Sequence, residues 1–485
     1  MNKYKYLLKN IGLMTFSQFG SKILSFLLVP LYTSILTASQ YGTYDYFNTT
    51  VSLLVPILTL SIMQGILRFT LGKKQDPSAV FTCGLNVLAK GFLVFFLLVG
   101  LNLWLNLIPS LNEFMPFMIG MFITAVLQET LISFARGRDR VKGIAIAGIL
   151  STATMLGLNV LFLVGLDMGL EGYFLANIIS PAVTVLYLFI DCRVWRHVRF
   201  SQLDPKLRRE MLVYSLPLIL NSVAWWINSA SDRYIVIAMC GVAANGIYSV
   251  AYKIPNILNM FQTIFNQVWT LSAVKDFDEA DRGVFFSRVY SIYNFLMTFL
   301  CACVIAADRF LAHLLYAGDF FGAWRYVPFL LIAIVFGALS GYIGGVFAAS
   351  KDSKIYAYST VISAISNIVL NIVLILWLKD PMGAAIATAV SYCIAWVIRL
   401  IHLRKIMKLN IRLWRDCLAY GLLVVQSVLL LVMDGSLLTY LVQGAMLVLL
   451  LLMFLPELKG AIQTIKDKLR KSPKEEKHES DQQTS

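Results

Sequence analysis

The sequence predicts an all-α integral membrane protein of about fourteen transmembrane helices, arranged as two parallel six-helix lobes followed by two C-terminal helices. Three observations predict it. The chain of 485 residues is 58% hydrophobic and 14% charged, with a mean hydropathy of +0.73, whereas a soluble domain carries nearer a quarter charged residues. Apolar runs of membrane-crossing length recur from one end to the other, and no polar stretch before the tail from about Lys459 to Ser485 could form a separate soluble domain. The basic residues fall in alternate loops.

About 20 mainly apolar residues cross a bilayer. On that length the spans lie near 11–36, 44–67, 81–107, 114–135, 144–166, 170–191, 212–238, 245–269, 286–307, 324–348, 356–378, 383–401, 414–433 and 437–456. The first follows Lys3, Lys5 and Lys9 and is too long for the core of a signal peptide, so it is expected to remain as a membrane helix.

With the N-terminus inside, 34 of the 41 Lys and Arg residues lie in cytoplasmic segments, and only Arg309 and Lys379 lie in outside loops. That bias sets the topology, both termini cytoplasmic. The longest outside loop is expected at about 308–323, with Asp308, Arg309, His313 and Asp319. The net charge of +14 is thereby distributed over short loops. A nucleic-acid binder would gather it on one solvated face, so no nucleic-acid partner is expected.

The seven cysteines have no zinc-ligand spacing and read as small packing residues. The chain has no Walker loop, no HExxH and no GxSxG, which argues against ATP hydrolysis and the hydrolases those motifs mark. No sizeable external loop carries catalytic carboxylates. The reading is a carrier without a cofactor, and a membrane enzyme, a glycosyltransferase or polymerase, is the more distant alternative.

The chain also repeats itself. Tyr41-Gly42-Thr43-Tyr44 matches Asn245-Gly246-Ile247-Tyr248, Arg138-Asp139 matches Lys351-Asp352, Asn159 matches Asn371, and Gly172 to Ser180 matches Gly383 to Ser391. The offsets drift only between 204 and 213 residues. The expected division is an N-lobe at 1–210 with six helices, a C-lobe at 211–412 with six, two further helices at 413–457 and a cytoplasmic tail at 458–485. Parallel repeats with a site between them are a transporter architecture.

Ionisable residues inside spans mark candidate sites, because each costs about 2.5–3.5 kcal/mol at a helix centre unless it lines a cavity or finds a partner. Lys22 lies midway along the first span, with Gln18 and Ser25 on the same face. In the seventh, Asn221, Asn228 and Asp232 share a face, and Arg233 points about 100° away. Lys253 lies in the eighth span, and Lys90, in the third, reads equally well as a side chain snorkelling to the interface. Asp45 and Asp232 are candidate carboxylates for a coupling ion, or structural ones. A cavity lined by Lys22, Arg233 and Lys253 would favour an anion, since ammonium and guanidinium groups suit phosphate oxygens. Prolines 30, 56, 217 and 255 are expected to interrupt the first, second, seventh and eighth helices.

Pro30-Leu31-Tyr32-Thr33 through Leu36 to Tyr41-Gly42-Thr43-Tyr44, with Asp232-Arg233, Gly246-Ile247-Tyr248 and Ala251-Tyr252-Lys253, resembles the helix 1–2 and helix 7–8 patterns of the polysaccharide transporter family. That family belongs to the multidrug/oligosaccharidyl-lipid/polysaccharide (MOP) flippase superfamily. The resemblance implies a flippase moving undecaprenyl-pyrophosphate-linked oligosaccharide across a bacterial plasma membrane by alternating access, with proton or sodium entry as candidate coupling. On that view the three cations hold the pyrophosphate or acidic sugars, while Gln18, Asn221 and Asn228 bond sugar hydroxyls. Partners would be the lipid-linked substrate, membrane lipids and a polysaccharide polymerase or other assembly proteins. A lipid II flippase and a multidrug antiporter of the same superfamily remain as alternatives.

Overall fold

The structure is a computed structural model that describes residues 26–72, 75–199, 203–275, 282–350, 353–407, 411–433 and 435–456. Lys22, Gln18 and the expected cytoplasmic tail lie outside the described residues.

Helix α1 (Val29–Ile35) is followed by α2 (Ala38–Leu58), which starts on a capping box in which Thr37 and Gln40 satisfy each other's backbone N–H groups. Pro56 lies inside α2, and the chain then breaks at Leu60 and Ser61, both with positive φ, before α3 (Ile62–Leu71) leaves at 58°. The second predicted span is therefore bent, not at its proline but a few residues beyond it. Helices α4 (Pro77–Leu105), α5 (Met115–Gly137), α6 (Val141–Asn159) and α7 (Gly169–Asp191) follow. The 36-residue α8 (Pro205–Cys240) comes next. Both α4 and α8 open on an Asp-Pro pair: Asp76 and Asp204 cap with their side chains, and the proline fills a first-turn position where no N–H is needed.

Pro217 does not interrupt α8, which runs unbroken past it, whereas the break expected at Pro255 is present. Helix α9 (Val242–Ala251) ends three turn residues before α10 (Pro255–Lys275), because a proline disfavours helical geometry in the residue preceding it. The remaining helices are α11 (Arg282–Leu315), α12 (Val327–Ala349), α13 (Ser353–Leu378), α14 (Met382–Ile406), α15 (Leu413–Val432) and α16 (Leu437–Met453). Among the described residues ten helices are long and apolar enough to cross a membrane, or eleven counting the bent α2–α3 pair. With α1, the broken α9–α10 segment and the shorter α16, every one of the fourteen predicted spans carries a helix.

Two loop assignments change. Helix α11 continues to Leu315, so Asp308 and Arg309 belong to a helix rather than to an outside loop, and Asp308 is fully buried. Arg399, expected in a cytoplasmic segment, is a buried residue of α14. Both side chains find their place inside the protein, which a hydropathy window cannot register.

The chain forms two compact units. One comprises residues up to Lys253 with His313–Ala323 and Asn371–Pro381. In it α2 packs on α9, and α7 packs on α5 and α6. The other comprises Ile254–Ala312, Trp324–Leu370 and the chain from Met382. Its centre is α12, which lies against α10 and α14 and is the most buried of the apolar helices. Glycines 341, 344 and 345 of α12 leave room for Asn266, Tyr356 and Trp269. Large apolar side chains such as Leu220, Trp104 and Trp377 stay exposed on the outer faces, as expected where lipid is the solvent.

Candidate functional site

In the first unit α2 and α9 meet through the two motifs that revealed the repeat. A Cβ on Gly42 would run into the carbonyl of Val242, and one on Gly246 into the carbonyl of Ala38. These are the same contact seen from either side, since Ala38 and Val242, like Gly42 and Gly246, are 204 residues apart. Asp45 and Ser249, again 204 apart, bond to each other at 2.6 Å. Equivalent residues thus face each other at successive levels of two helices running side by side. Small residues four apart permit that approach.

The close approach carries a buried polar cluster. Asp45, only 7% exposed, accepts from Ser249 Oγ and from Asn245 Nδ2 at 3.2 Å. Its Oδ2 lies 3.1 Å from Arg233 Nε of α8. Arg233 Nη1 donates to the carbonyl of Ser229 at 2.9 Å and lies 3.9 Å from Asp232 Oδ1. Asp232, 3% exposed, accepts from the hydroxyls of Tyr248 at 2.7 Å and Tyr252 at 2.6 Å. The Arg233 guanidinium also sits 4.7 Å from the centre of the Tyr252 ring. Arg233 is therefore held between two carboxylates, each further tied by neutral donors, which is the condition under which a buried ion pair persists.

Lys253 differs. Its ammonium lies 5.7 Å from the Tyr32 ring and 5.8 Å from the Tyr41 ring, and those two rings stack at 5.1 Å. Among the described residues it has no carboxylate partner. Tyr173 and Tyr44 extend the aromatic wall, and the Tyr44 hydroxyl donates to Asn177. The arrangement is a half-buried cation on aromatic faces, beside an arginine whose charge is already matched.

The structure brings together Asp45, Asp232, Arg233 and Lys253. Asn228 is buried one turn before Asp232 and donates to the carbonyl of Ala224. Asn221 and Lys90 are exposed. The sequence reading missed Asn245, Ser249, Tyr248 and Tyr252. Their signal was present in the four-residue spacings Asn245–Ser249 and Tyr248–Tyr252 and in the Asp45–Ser249 repeat offset. It also missed Arg399 of the second unit. That side chain donates to Ser359 Oγ, the Ser340 carbonyl and Thr360 Oγ1 at 2.8–2.9 Å, and lies 4.2 Å from the Tyr356 ring centre.

Beyond the spans, His197 links α4, α5 and the turn after α7. Its Nε2 is 2.9 Å from Arg138 Nη1, and its Nδ1 is 2.9 Å from Ser78 Oγ. Arginine can only donate, so Nε2 accepts and Nδ1 carries the proton. Burial, then Arg138, lowers the pKa of His197 below 6.5, against a smaller opposing effect of Asp76.

Comparison with solved structures places this architecture. The chain is similar to a lipid II flippase MurJ in an inward closed conformation, with a TM-score of 0.66 and 14% identity over 90% of this chain and 97% of that one. It is also similar to a multidrug resistance MATE-family transporter of the MOP superfamily. In the inward-facing conformation the TM-score is 0.64, with 14% identity over 79% of this chain and 95% of that one. In the outward-facing conformation the TM-score is 0.57, with 14% identity over 82% and 96%. The multi-pass helical fold is the one those two proteins share. Residues 7–272 match the family described as polysaccharide biosynthesis protein, and the chain belongs to that family. No curated protein sequence matches it.

Proposed function

We propose that this chain flips a lipid-linked oligosaccharide, carried on undecaprenyl pyrophosphate, across the bacterial plasma membrane for polysaccharide biosynthesis. The observation that carries the reading is Lys253, a half-buried cation with no carboxylate partner among the described residues, standing on tyrosine rings in a membrane protein of the polysaccharide biosynthesis family. An ammonium so placed supplies a point charge to pyrophosphate oxygens. The tyrosine rings, buried in this structure, hold that ammonium in place from beneath. Arg233, matched by Asp45 and Asp232, orients that wall; Lys22, Gln18, Asn221 and Asn228 are proposed to complete the polar lining, with Lys90 as a further candidate. Transport is by alternating access of the two repeats, 1–210 and 211–412, with the termini in the cytoplasm and a polymerase taking the product outside. A proton or sodium ion drives it.

The test is accumulation of lipid-linked oligosaccharide in cells depleted of the protein, rescued by wild type but not by Lys253→Ala. Accumulation of lipid II instead would assign the substrate of the structurally similar flippase. Normal lipid-linked pools with altered sensitivity to cationic drugs would assign an antiporter.

A further inference from the structure

Helix α11 buries one stripe of its surface in the second unit. Cys301, Ala302, Ile305, Asp308 and Ala312 are all at 0% exposure; from Cys301 or Ala302 onward the steps are three or four residues, as one helical face requires. Four of the five are small or apolar; Asp308 is a carboxylate. Among the described residues neither of its oxygens has a hydrogen-bond partner.

The adjacent cation is turned to another helix through its Nη2, while its Nε has no hydrogen-bond partner among the described residues. Arg309 Nη2 donates to the carbonyls of Leu430 and Met433 at 3.0 and 2.6 Å, closing the C-terminus of α15, and its guanidinium lies 4.4 Å from the Trp324 ring centre. Beside Arg309 the turn Gly318–Arg325 carries Asp319 and Arg325, and four helices are in contact with α11. Helix α10 meets it where Phe265 stacks on Tyr293, and its one charged residue, Lys275, is at its far end. Helix α12 meets it where the Tyr342 hydroxyl donates to the Phe286 carbonyl, and has no charged residue. Helix α14 meets it through Trp396 and Tyr290, with Arg399, His402, Arg404 and Lys405 beyond that point. Helix α15 carries Arg415 and Asp416 in its first turn, beside Tyr420, which bonds Asn294. That level is about 20 Å along α11 from Asp308 at 1.5 Å per residue.

An ionised carboxylate removed from water and given no donor loses its hydration with nothing in return, and such a group keeps its proton. A metal ion needs several oxygen ligands; on α11 itself the stripe around Asp308 supplies only apolar groups and a thiol, and among the described residues no group of three or more His, Cys, Asp or Glu could hold a metal. We propose that Asp308 is a proton-binding site of the second unit. One carboxylate oxygen forms an O–H bond with a proton taken from water and returns it to water when transport rehydrates the site. This deepens the transport reading and rests on it: the driving ion is a proton and Asp308 carries it, while Asp45 and Asp232 stay committed to Arg233.

The experiment is infrared difference spectroscopy of the reconstituted full chain, wild type minus Asp308→Asn, at neutral pH. The amide is isosteric with the protonated acid, so the variant is expected to fold, and its melting temperature checks this. The expected spectrum contains the carbonyl stretch of a protonated carboxyl group, displaced in D2O. A carboxylate stretch in its place overturns the proposal, as does conversion to carboxylate on adding sodium at constant pH. Proteoliposomes then test coupling. Asp308→Asn is expected to lose the part of lipid-linked oligosaccharide flipping that depends on a pH gradient, and an unchanged gradient response overturns the coupling role. The protonated band in a wild type that moves no such lipid would uphold the proton site and remove the transport reading.

Discussion

Arg233 Nε lies 3.1 Å from Asp45 Oδ2, joining α8 to α2 at the level where Ser249 and Asn245 of α9 bond the same carboxylate oxygen. One aspartate thus ties three helices. Arg233 in turn reaches Asp232, its neighbour in sequence, although the two leave the helix about 100° apart. The long guanidinium arm closes that angle; the carboxylate could not.

Asp45→Asn leaves Arg233 with Asp232 alone. Removing one partner of a buried ion pair costs about 3–5 kcal/mol, and the remaining carboxylate places this variant near the low end, at about 3 kcal/mol. Thermal unfolding in detergent of Asp45→Asn, Arg233→Gln and the double variant measures it. The double variant should be destabilised by less than the sum of the singles, by about 0.5–3 kcal/mol. Simple addition would mean that the pair contributes nothing as a pair.

Lys253→Ala should reduce flipping by about tenfold or more, equivalent to about 1.4 kcal/mol in the rate-limiting step, with little loss of thermal stability. Lys253→Arg should retain most of it, because the charge stays over the tyrosine rings. Flipping assays in proteoliposomes decide this, and an unimpaired alanine variant would remove Lys253 from the site.

Gly246→Ala should be costly out of proportion to one methyl group. The new Cβ meets the Ala38 carbonyl, so α2 and α9 must separate and the Asp45–Ser249 bond must lengthen. Overpacking of this kind costs about 1–3 kcal/mol. Gly100→Ala is the control, with nothing within 4 Å of its new Cβ. Equal melting temperatures for the two variants would contradict the close approach.

Acidification should loosen the turn after α7. Folding lowers the pKa of His197, so between that lowered value and about 6.5 the unfolded chain binds more protons and stability rises with pH. The contribution is complete above about 6.5 and is lost as the pH falls through the folded value. Proteolysis or hydrogen exchange at residues 192–199 should increase below pH 6 in wild type and lose that dependence in His197→Gln. A pH-independent turn in wild type would show that the histidine makes no such contribution.

Much of the fold was legible because a bilayer imposes a length and a charge rule on each segment separately. All fourteen spans found helices. The break in the eighth falls just before Pro255, where the proline acts locally, whereas the bend in the second lies at Leu60 and Ser61, beyond Pro56. Pro217 carried the same signal and broke nothing, because whether a helix bends at a proline depends on what packs around it. The same holds for the site. The repeat gave Gly42 with Gly246, and the membrane-embedded charges gave Asp45, Asp232, Arg233 and Lys253.

Hydropathy, basic-residue alternation and the repeat were fixed by the sequence alone, because each is a property of consecutive residues or of two aligned stretches. Which charge meets which was decided by tertiary structure. Arg233 read as a cavity cation but sits between two carboxylates, while Arg399 and Asp308 read as loop residues but are buried in helices. An ionisable side chain is placed by the partners that helices distant in sequence bring to it, or fail to bring. That relation exists only once the chain has folded.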